Sequence, residues 1–567
     1  MNILGINCFA HDTAAALLVD GVPVALAEEE RFNREKHTKA FPDEAVEFCL
    51  RQAGIRIEDV DVVAFAHRAG TDYARGAADA LKRMPASGKR LAAQTYVDAM
   101  LAWKQLAFLR RWGYRGRVVN VGHHEAHAAA AFFASGFEEA AVLTLDRGGD
   151  FLSTTLGVGR GTTLRTIDQV RNPDSLGEIY TAVTWWLGFH PNADEGKVMG
   201  LAPYGTDHYV ATFRRMVRPL PGGTFRVNLD WFRYQIEGRV PWSRRFEDQF
   251  GTPREPESEL TPHHEDVAFG VQAVTEEIAL HMARALHDLT GMKDLALSGG
   301  VALNSVMNAR ILTETPFERI FIQPAAGDAG NALGAALHVW HQRLGMPRQW
   351  SMRHAFLGPE YPVSSLKAAL VATGLPFREV ADPAGEAAEL LSRSKIVGWF
   401  QGRAEVGPRA LGARSILADP RRAEMKDIVN ERVKHREGFR PFAPAVLDER
   451  GDDYFEGYAT NPFMLLVLPI REELRDQVPA VTHVDGTGRL QSVTREDNPD
   501  FYRLIAEFDR RTGVPVVLNT SYNLRGEPIV HRPEEAVTDF LDTGMDALVM
   551  GPYVLEKDDR SEDGRSS

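Results

Sequence analysis

NILGINCFAHDTAAALLVDGVPVALAEEE, residues 2–30, decides how the chain begins to fold. NILGIN (2–7) is apolar, CFAHDTA (8–14) is a short polar stretch, and 15–30 holds two more β-like runs on either side of Asp20-Gly21. Asp-Gly between apolar runs is a hairpin signature. The reading is therefore strand, polar loop, strand, hairpin, the start of an α/β protein. His11 and Asp12 stand side by side in the polar loop. An imidazole there titrates near neutrality and can serve as a general base; equally, the pair can do no more than satisfy local backbone groups.

Further along, VGHHEAHAAAAFF (121–133) sets His123 and His127 four residues apart, so that both rings leave one face of a helix. Imidazoles suit iron or zinc and need one or two carboxylates to complete a site. Asp146 ends AVLTLD (141–146), which reads as a buried strand, and Asp328 is the one charged group in PAAGDAGNALGAAL (324–337). The plain alternative is a helix with one histidine against the core and one in solvent.

With 567 residues, 44% hydrophobic and 25% charged, the chain is long enough for two or three soluble domains. A net charge of −13 and a pI near 5.8 disfavour broad attachment to nucleic acid or anionic membrane. Cys8 and Cys49, the only cysteines, exclude a disulfide framework and a four-cysteine zinc module, which points to the cytoplasm. No basic leader opens the chain and no run of about eighteen apolar residues occurs, so neither secretion nor membrane spanning is expected.

In the dense mixed charge of 28–42, Arg31, Lys36 and His37 are candidate partners of an anion. DEGKVMGLAPYG (194–205), with Lys197 among glycines, has the composition of a loop pressed against a ligand or of a tight surface loop. Residues 206–262 alternate short aromatic strands with Pro, Gly and Arg, an insertion suited to acceptor selectivity. DLALSGGVALNSVMNARIL (294–312) reads as strand, Gly299-Gly300 turn and a helix from about Ala302, whose amides can hold phosphate or ribose. Periodicity is lost between about 344 and 362, which places a boundary there, and a second α/β unit begins near Ser364. Its Arg403, Arg409, Arg414 and Ser415, followed by Arg432, Lys434, Arg436 and Arg440, suggest a pocket for a compact polyanion, the alternative being pairing with nearby acids. His483, Asn519, Thr520, Ser521 and Asn523 add neutral groups able to read a ribose, base or carbamoyl group. The charged tail after Lys557 is expected to be disordered.

HDTAAALLVDG (11–21), AEEERFNREKH (27–37), GHHEAHAA (122–129), DEGKVMGLAPYG, SGGVALN (298–304), GDAGNALGAAL (327–337), GPRALGARSILADPR (407–421), FRPFAP (439–444) and LNTSYNLRGEPIV (518–530) occur in order. Together they resemble the O-carbamoyltransferase family of antibiotic and nodulation-factor biosynthesis, over nearly the whole chain and most weakly over 70–115 and 206–262. The resemblance implies an actin-like (ASKHA) domain with duplicated ribonuclease-H-like halves at 1–355, followed by a YrdC-like α/β domain at 364–557, with the last strand or helix free to pack back on the first. The YrdC-like domain is expected to convert carbamoyl phosphate and ATP, with Mg2+, to carbamoyl adenylate and pyrophosphate. The actin-like domain then passes the carbamoyl group to an acceptor hydroxyl.

Carried over by motif, His123, His127, Asp146 and Asp328 are the ligands of Fe(II) or another divalent transition metal, His11 is the base, with Asp12 beside it, and Lys36 lies near the adenylate. Gly299, Gly300 and Asn304 fall to the nucleotide turn, and Arg414, Ser415, Lys434, Arg436 and Arg440 to the activation pocket. Lys197, Arg403, Arg409, His483, Asn519, Ser521 and Asn523 are added as cofactor-binding candidates on their residue types and local sequence alone. Two departures stand out: Arg147 where glycine is usual, and Tyr522 for a commoner phenylalanine. The expected partner is a small natural product with a hydroxyl, glycosylated or polyketide; a homodimer stays open. The rival readings are a nucleotide-regulated actin-like scaffold and an enzyme of the same ancestry acting on a macromolecule.

Overall fold

The Asp-Gly hairpin forms as its residues require, with Asp20 at φ 49° and Gly21 at φ 84°, both in the left-handed region. It joins β2 (Ala14–Val19) to β3 (Val22–Glu28), and β2 pairs antiparallel with β1 (Asn2–Asn7). β4 (Val62–Phe65) and β5 (Arg117–Asn120) add in parallel on the far side of β1, giving the order β3-β2-β1-β4-β5.

The pattern then repeats. β6 (Glu139–Gly149), β7 (Leu152–Arg160) and β8 (Thr163–Arg171) form an antiparallel meander. After a small separate hairpin of β9 (Val217–Pro219) and β10 (Phe225–Val227), β11 (Asp294–Ser298) and β12 (Arg319–Ile322) add in parallel beyond β6. The resulting order, β8-β7-β6-β11-β12, is that of the first sheet strand for strand. Two copies of this topology are the duplicated ribonuclease-H-like halves of an actin-like fold, seen in a computed structural model that describes residues 1–8, 11–68, 77–78, 81, 88–235 and 240–557. The tail after Lys557 lies outside the described residues.

Small residues bring the site-bearing elements together. A Cβ on Gly5 of β1 would lie 1.9 Å from Ala332 O, and one on Gly334 would lie 2.0 Å from Ala126 O. The helix Gly330–Leu337 is thus in backbone contact with β1 and with the helix His123–Phe132. Over 206–262 the structure differs from the expected short strands. Besides β9 and β10, the described part folds as the helices Val210–Met216 and Arg244–Phe250, whose Phe213, Phe246 and Phe250 form one buried aromatic cluster. Aromatic spacing there reports a core rather than strand alternation.

The second unit contains residues 31–36 and 353 onward, the first holding 1–30 and 37–352. The second is built on one mixed sheet, β13 (Phe377–Glu379), β14 (Val397–Phe400), β15 (Arg414–Ala418), β16 (Ala443–Leu447), β17 (Leu466–Pro469), β18 (Thr487–Val493), β19 (Val516–Ser521), β20 (Ala547–Met550) and β21 (Tyr553–Glu556). The order is β13-β21-β20-β14-β15-β19-β16-β18-β17. The short helix Glu30–Asn33 opens the excursion by which 31–36 joins this unit, and Arg31 anchors it by donating to Gly407 O (2.6 Å).

Candidate metal centre and anion pocket

His123 and His127 leave one face of their helix, Asp146 lies where the β6–β7 pairing is interrupted between Leu145 and Gly149, and Asp328 stands just before the helix Gly330–Leu337. All four are buried, and one ligand atom from each falls within a 4.8 Å cluster. His123 Nε2 is 3.2 Å from Asp146 Oδ2, and both imidazoles place Nε2 3.6 Å from Asp328 Oδ1.

The surroundings prepare these groups as ligands. Gly300 N–H donates to Asp146 Oδ1 (2.9 Å) and Gly148 N–H to Oδ2 (3.2 Å). Ser298 Oγ gives its proton to Ala326 O (3.3 Å), so it accepts from His127 Nδ1 (3.2 Å) and leaves the lone pair on Nε2, where the Asn331 amide points (3.0 Å). Burial opposes charge on His123, but Asp328 and then Asp146 overcome it and push its pKa up to about 9. Asp146 is held well below the usual carboxylate range: burial works against its charge, and the His123 hydrogen bond outweighs it. Two imidazoles and two carboxylates so arranged suit a divalent transition metal. The third imidazole, His124, is a core residue, bonded to Thr144 Oγ1 (2.7 Å) and Leu152 O (3.1 Å).

The second unit brings several of its cations within electrostatic reach of one another. Burial, then Arg440, pushes the Arg409 pKa down to about 10. Arg436 and Arg489 are held well below the usual guanidinium range, by burial first and then by Arg440 for Arg436 and by Arg409, Arg436 and Arg440 for Arg489. Arg436 donates to Asn430 Oδ1 (2.8 Å) and lies over Phe442, and Arg440 is 3.8 Å from Glu437. The side chains of Arg409 and Arg489 make no hydrogen bond or ion pair with any described residue, and the Nε of each is buried. Crowded, partly accessible guanidinium groups with unused donors have the chemistry that suits a polyanion. Arg489 was missed on sequence because it sits in a strand outside the arginine-rich runs; its alternation with buried Gly488 and Leu490 is the only signal.

Two family models cover most of the chain: carbamoyltransferase N-terminus over residues 2–337 and carbamoyltransferase C-terminus over 388–557. The chain belongs to the carbamoyltransferase family. Nodulation protein NolNO of Sinorhizobium fredii is 40% identical over 565 residues, covering 97% of this chain and 80% of its own. Nodulation protein NolO of Bradyrhizobium diazoefficiens is 42% identical over 445 residues, 77% of this chain and 79% of its own. Among solved structures, HypF of T. kodakarensis has a TM-score of 0.32 at 14% identity, covering 61% of this chain and 48% of that one. The family makes the protein an enzyme and sets aside the scaffold reading.

Several expected site residues of this carbamoyltransferase serve locally. Arg414 is fully buried, donating to Gln401 O (2.9 Å), Ala413 O (3.0 Å), Gly402 O (3.0 Å) and Pro359 O (3.3 Å), with its guanidinium over Phe400. Arg403 likewise binds Leu357 O and Gly358 O, and Ser415 Oγ accepts from Gly412 N (3.1 Å). Lys434 donates to Ser521 O (2.9 Å), Asn523 O and Asn523 Oδ1 (both 2.8 Å), and Ser521 Oγ also bonds Asn523 Oδ1 (2.7 Å). The Asn519 amide donates to Gln491 Oε1 (2.8 Å) and Ala410 O (3.1 Å), while its Oδ1 is buried with no partner among the described residues. His483 is buried. Glu405, also unforeseen, is buried and draws in the 407–415 loop by accepting from Leu411 N (2.7 Å).

In the first unit, Asn304 caps the helix Ser305–Glu314, accepting from Met307 N (3.1 Å), and the helix starts later than expected because Gly300–Leu303 winds as a 3₁₀ turn. A Cβ on Gly299 would meet Leu145 O at 2.1 Å, so the double glycine serves approach to the Asp146 strand. DEGKVMGL is a helix, Glu195–Leu201, not a loop, with buried Lys197 3.1 Å from Asp194. Arg147 turns to Asn192 Oδ1 (2.8 Å) at the edge of the histidine–aspartate cluster. Tyr522 is buried and donates to Ala536 O (2.6 Å), which a phenylalanine could not do. Exposed Lys36 belongs to the second unit, where its charge helps hold the Lys434 pKa well below its usual value, after burial, Arg436 and Arg440. Among the described residues, no helix is long and apolar enough to cross a membrane.

Proposed function

We propose that this carbamoyltransferase uses ATP and carbamoyl phosphate to make carbamoyl adenylate in its second unit, and transfers the carbamoyl group to a hydroxyl of a small molecule in its first. The observation that carries the reading is the arginine cluster: Arg409 and Arg489 have unused donors beside Arg436 and Arg440, which suits a triphosphate. Water first cleaves carbamoyl phosphate to carbamate and phosphate, and clustered guanidinium groups then offset charge that builds as a carbamate oxygen attacks the α-phosphorus of ATP and pyrophosphate leaves. AMP then makes a good leaving group from a carbonyl that nitrogen donation leaves unreactive.

In the first unit His123, His127, Asp146 and Asp328 would hold a divalent metal, Fe(II) by family resemblance, which when bound supplies Lewis-acid charge to a carbonyl or phosphate oxygen. His11 accepts the acceptor's proton. That the relatives are nodulation proteins supports a small-molecule acceptor, and a net charge of −13 disfavours a nucleic acid.

Labelled pyrophosphate, ATP and carbamoyl phosphate without acceptor test the proposal. The label should exchange into ATP, be lost with Arg489→Ala and persist with His11→Ala. No exchange by the metal-replete wild-type protein rules out adenylation.

A further inference from the structure

The first unit holds a second constellation, distinct in its residues from the four metal-type ligands but within electrostatic reach of one of them, Asp328. Asp12 accepts at both carboxylate oxygens, from His11 Nδ1 at Oδ2 (2.8 Å) and from His37 Nδ1 at Oδ1 (2.7 Å). An ionised carboxylate only accepts, so both rings carry their proton on Nδ1, and the lone pair of His11 is left on Nε2. Both turns are built to aim these groups. Asp12 lies at φ 53° and His37 at φ 55°, a left-handed conformation that costs a non-glycine residue about 1–2 kcal/mol. Asn7 fixes one turn by donating to Asp12 O (3.0 Å), and Glu30 fixes the other by accepting from His37 N–H (2.8 Å). Strain at two turns separated by 24 residues, spent on joining three polar side chains, is the mark of a positioned group.

We propose that His11, Asp12 and His37 form a relay in which Asp12 and His37 are positioning residues that hold His11 as the base for the acceptor hydroxyl. This rests on the reading of the first unit as the transfer site. The hydroxyl proton passes to His11 Nε2, the oxygen electron pair forms the new bond to the carbamoyl carbon, and the anhydride C–O bond breaks with its pair leaving on AMP. Asp12 stays ionised throughout and stabilises the imidazolium.

The charges around the three groups agree. Burial opposes protonation of His11, but the Asp12 hydrogen bond and Asp328 raise its pKa above the usual value, with Arg147 acting the other way. Asp12 is held below the usual carboxylate range, since hydrogen bonds from His11 and His37 overcome its burial. At His37, Asp12 accepts from the ring and Glu30 from the backbone N–H.

The test is a pH titration of the 15N-histidine-labelled full chain by NMR, with the His11 signals assigned from their loss in His11→Ala. Asp12→Asn keeps the left-handed turn, because asparagine tolerates it, while removing the charge. It should lower the His11 pKa by about one unit or more and abolish the pure Nδ1–H tautomer pattern. His37→Ala should lower the pKa less. His37→Asn, whose amide can occupy the place of Nδ1, should restore it at matched thermal stability. Unchanged His11 nitrogen shifts and pKa in Asp12→Asn would overturn the relay; His37→Ala behaving as wild type would remove His37 from it. Pyrophosphate exchange in the same variants separates the two proposals, because its loss in His11→Ala and Asp12→Asn would count against the two-site reading and leave the titration result standing.

Discussion

Arg409 and Arg414 lie five residues apart, their pKa values are both pushed down to about 10, and replacing each by methionine should have opposite consequences. Burial is the first cause for both, but Arg414 spends its donors on four backbone carbonyls and Arg409 spends none. Arg414→Met strands buried carbonyls at about 1 kcal/mol or more each, so a loss of about 4 kcal/mol is expected. At Arg409 the fall from 12.5 to about 10 corresponds to roughly 3 kcal/mol of unfavourable charge at neutral pH, of which about 1–2 kcal/mol survives solvent screening of a partly accessible group. Arg409→Met should therefore raise stability by about 1–2 kcal/mol while abolishing pyrophosphate exchange. Urea unfolding followed by circular dichroism measures the first quantity and label exchange the second. Should Arg409→Met destabilise as Arg414→Met does, or exchange at the wild-type rate, the division into ligand-binding and structural arginines is wrong.

Burial raises the pKa of Glu29 to about 7 although it accepts from Ala45 N–H (2.9 Å) at the start of the helix Asp43–Ala53. The folded chain keeps this proton while the unfolded one loses it at an ordinary 4.5, so about 3 kcal/mol of stability present below that pH is lost as pH rises to about 7. Glu29→Gln should flatten this slope, which unfolding midpoints across that window measure; an unchanged slope contradicts the assignment. Ser298→Ala removes the acceptor that sets the His127 tautomer and should weaken divalent-metal affinity about 10–100-fold by equilibrium dialysis, whereas undiminished binding would place the metal elsewhere. Gly412→Ala, at φ 100° with a Cβ 2.3 Å from the Phe501 ring, should cost about 2 kcal/mol or more in denaturant unfolding; a neutral outcome would mean the loop can shift.

Residue order alone sufficed for what depends on neighbours along the chain. The Asp20-Gly21 hairpin, two imidazoles on one helical face, the apolar strand ending at Asp146 and the family motifs all rest on short-range patterns, where chemistry and spacing are the same thing. Tertiary packing decided which distant groups became partners. His123 and Asp328 meet because glycines at 5 and 334 let backbones touch, and Asn304 became a helix cap. Lys36 went to one unit and His37 to the other. Within one arginine-rich loop, β15 carried Arg414 into the core while Arg409 kept its donors unused. A guanidinium's character is written in its composition, but its role depends on whether carbonyls surround it, and for Arg414 those carbonyls are brought in by the folded loops at Gln401, Gly402 and Pro359, a placement that residue order does not display.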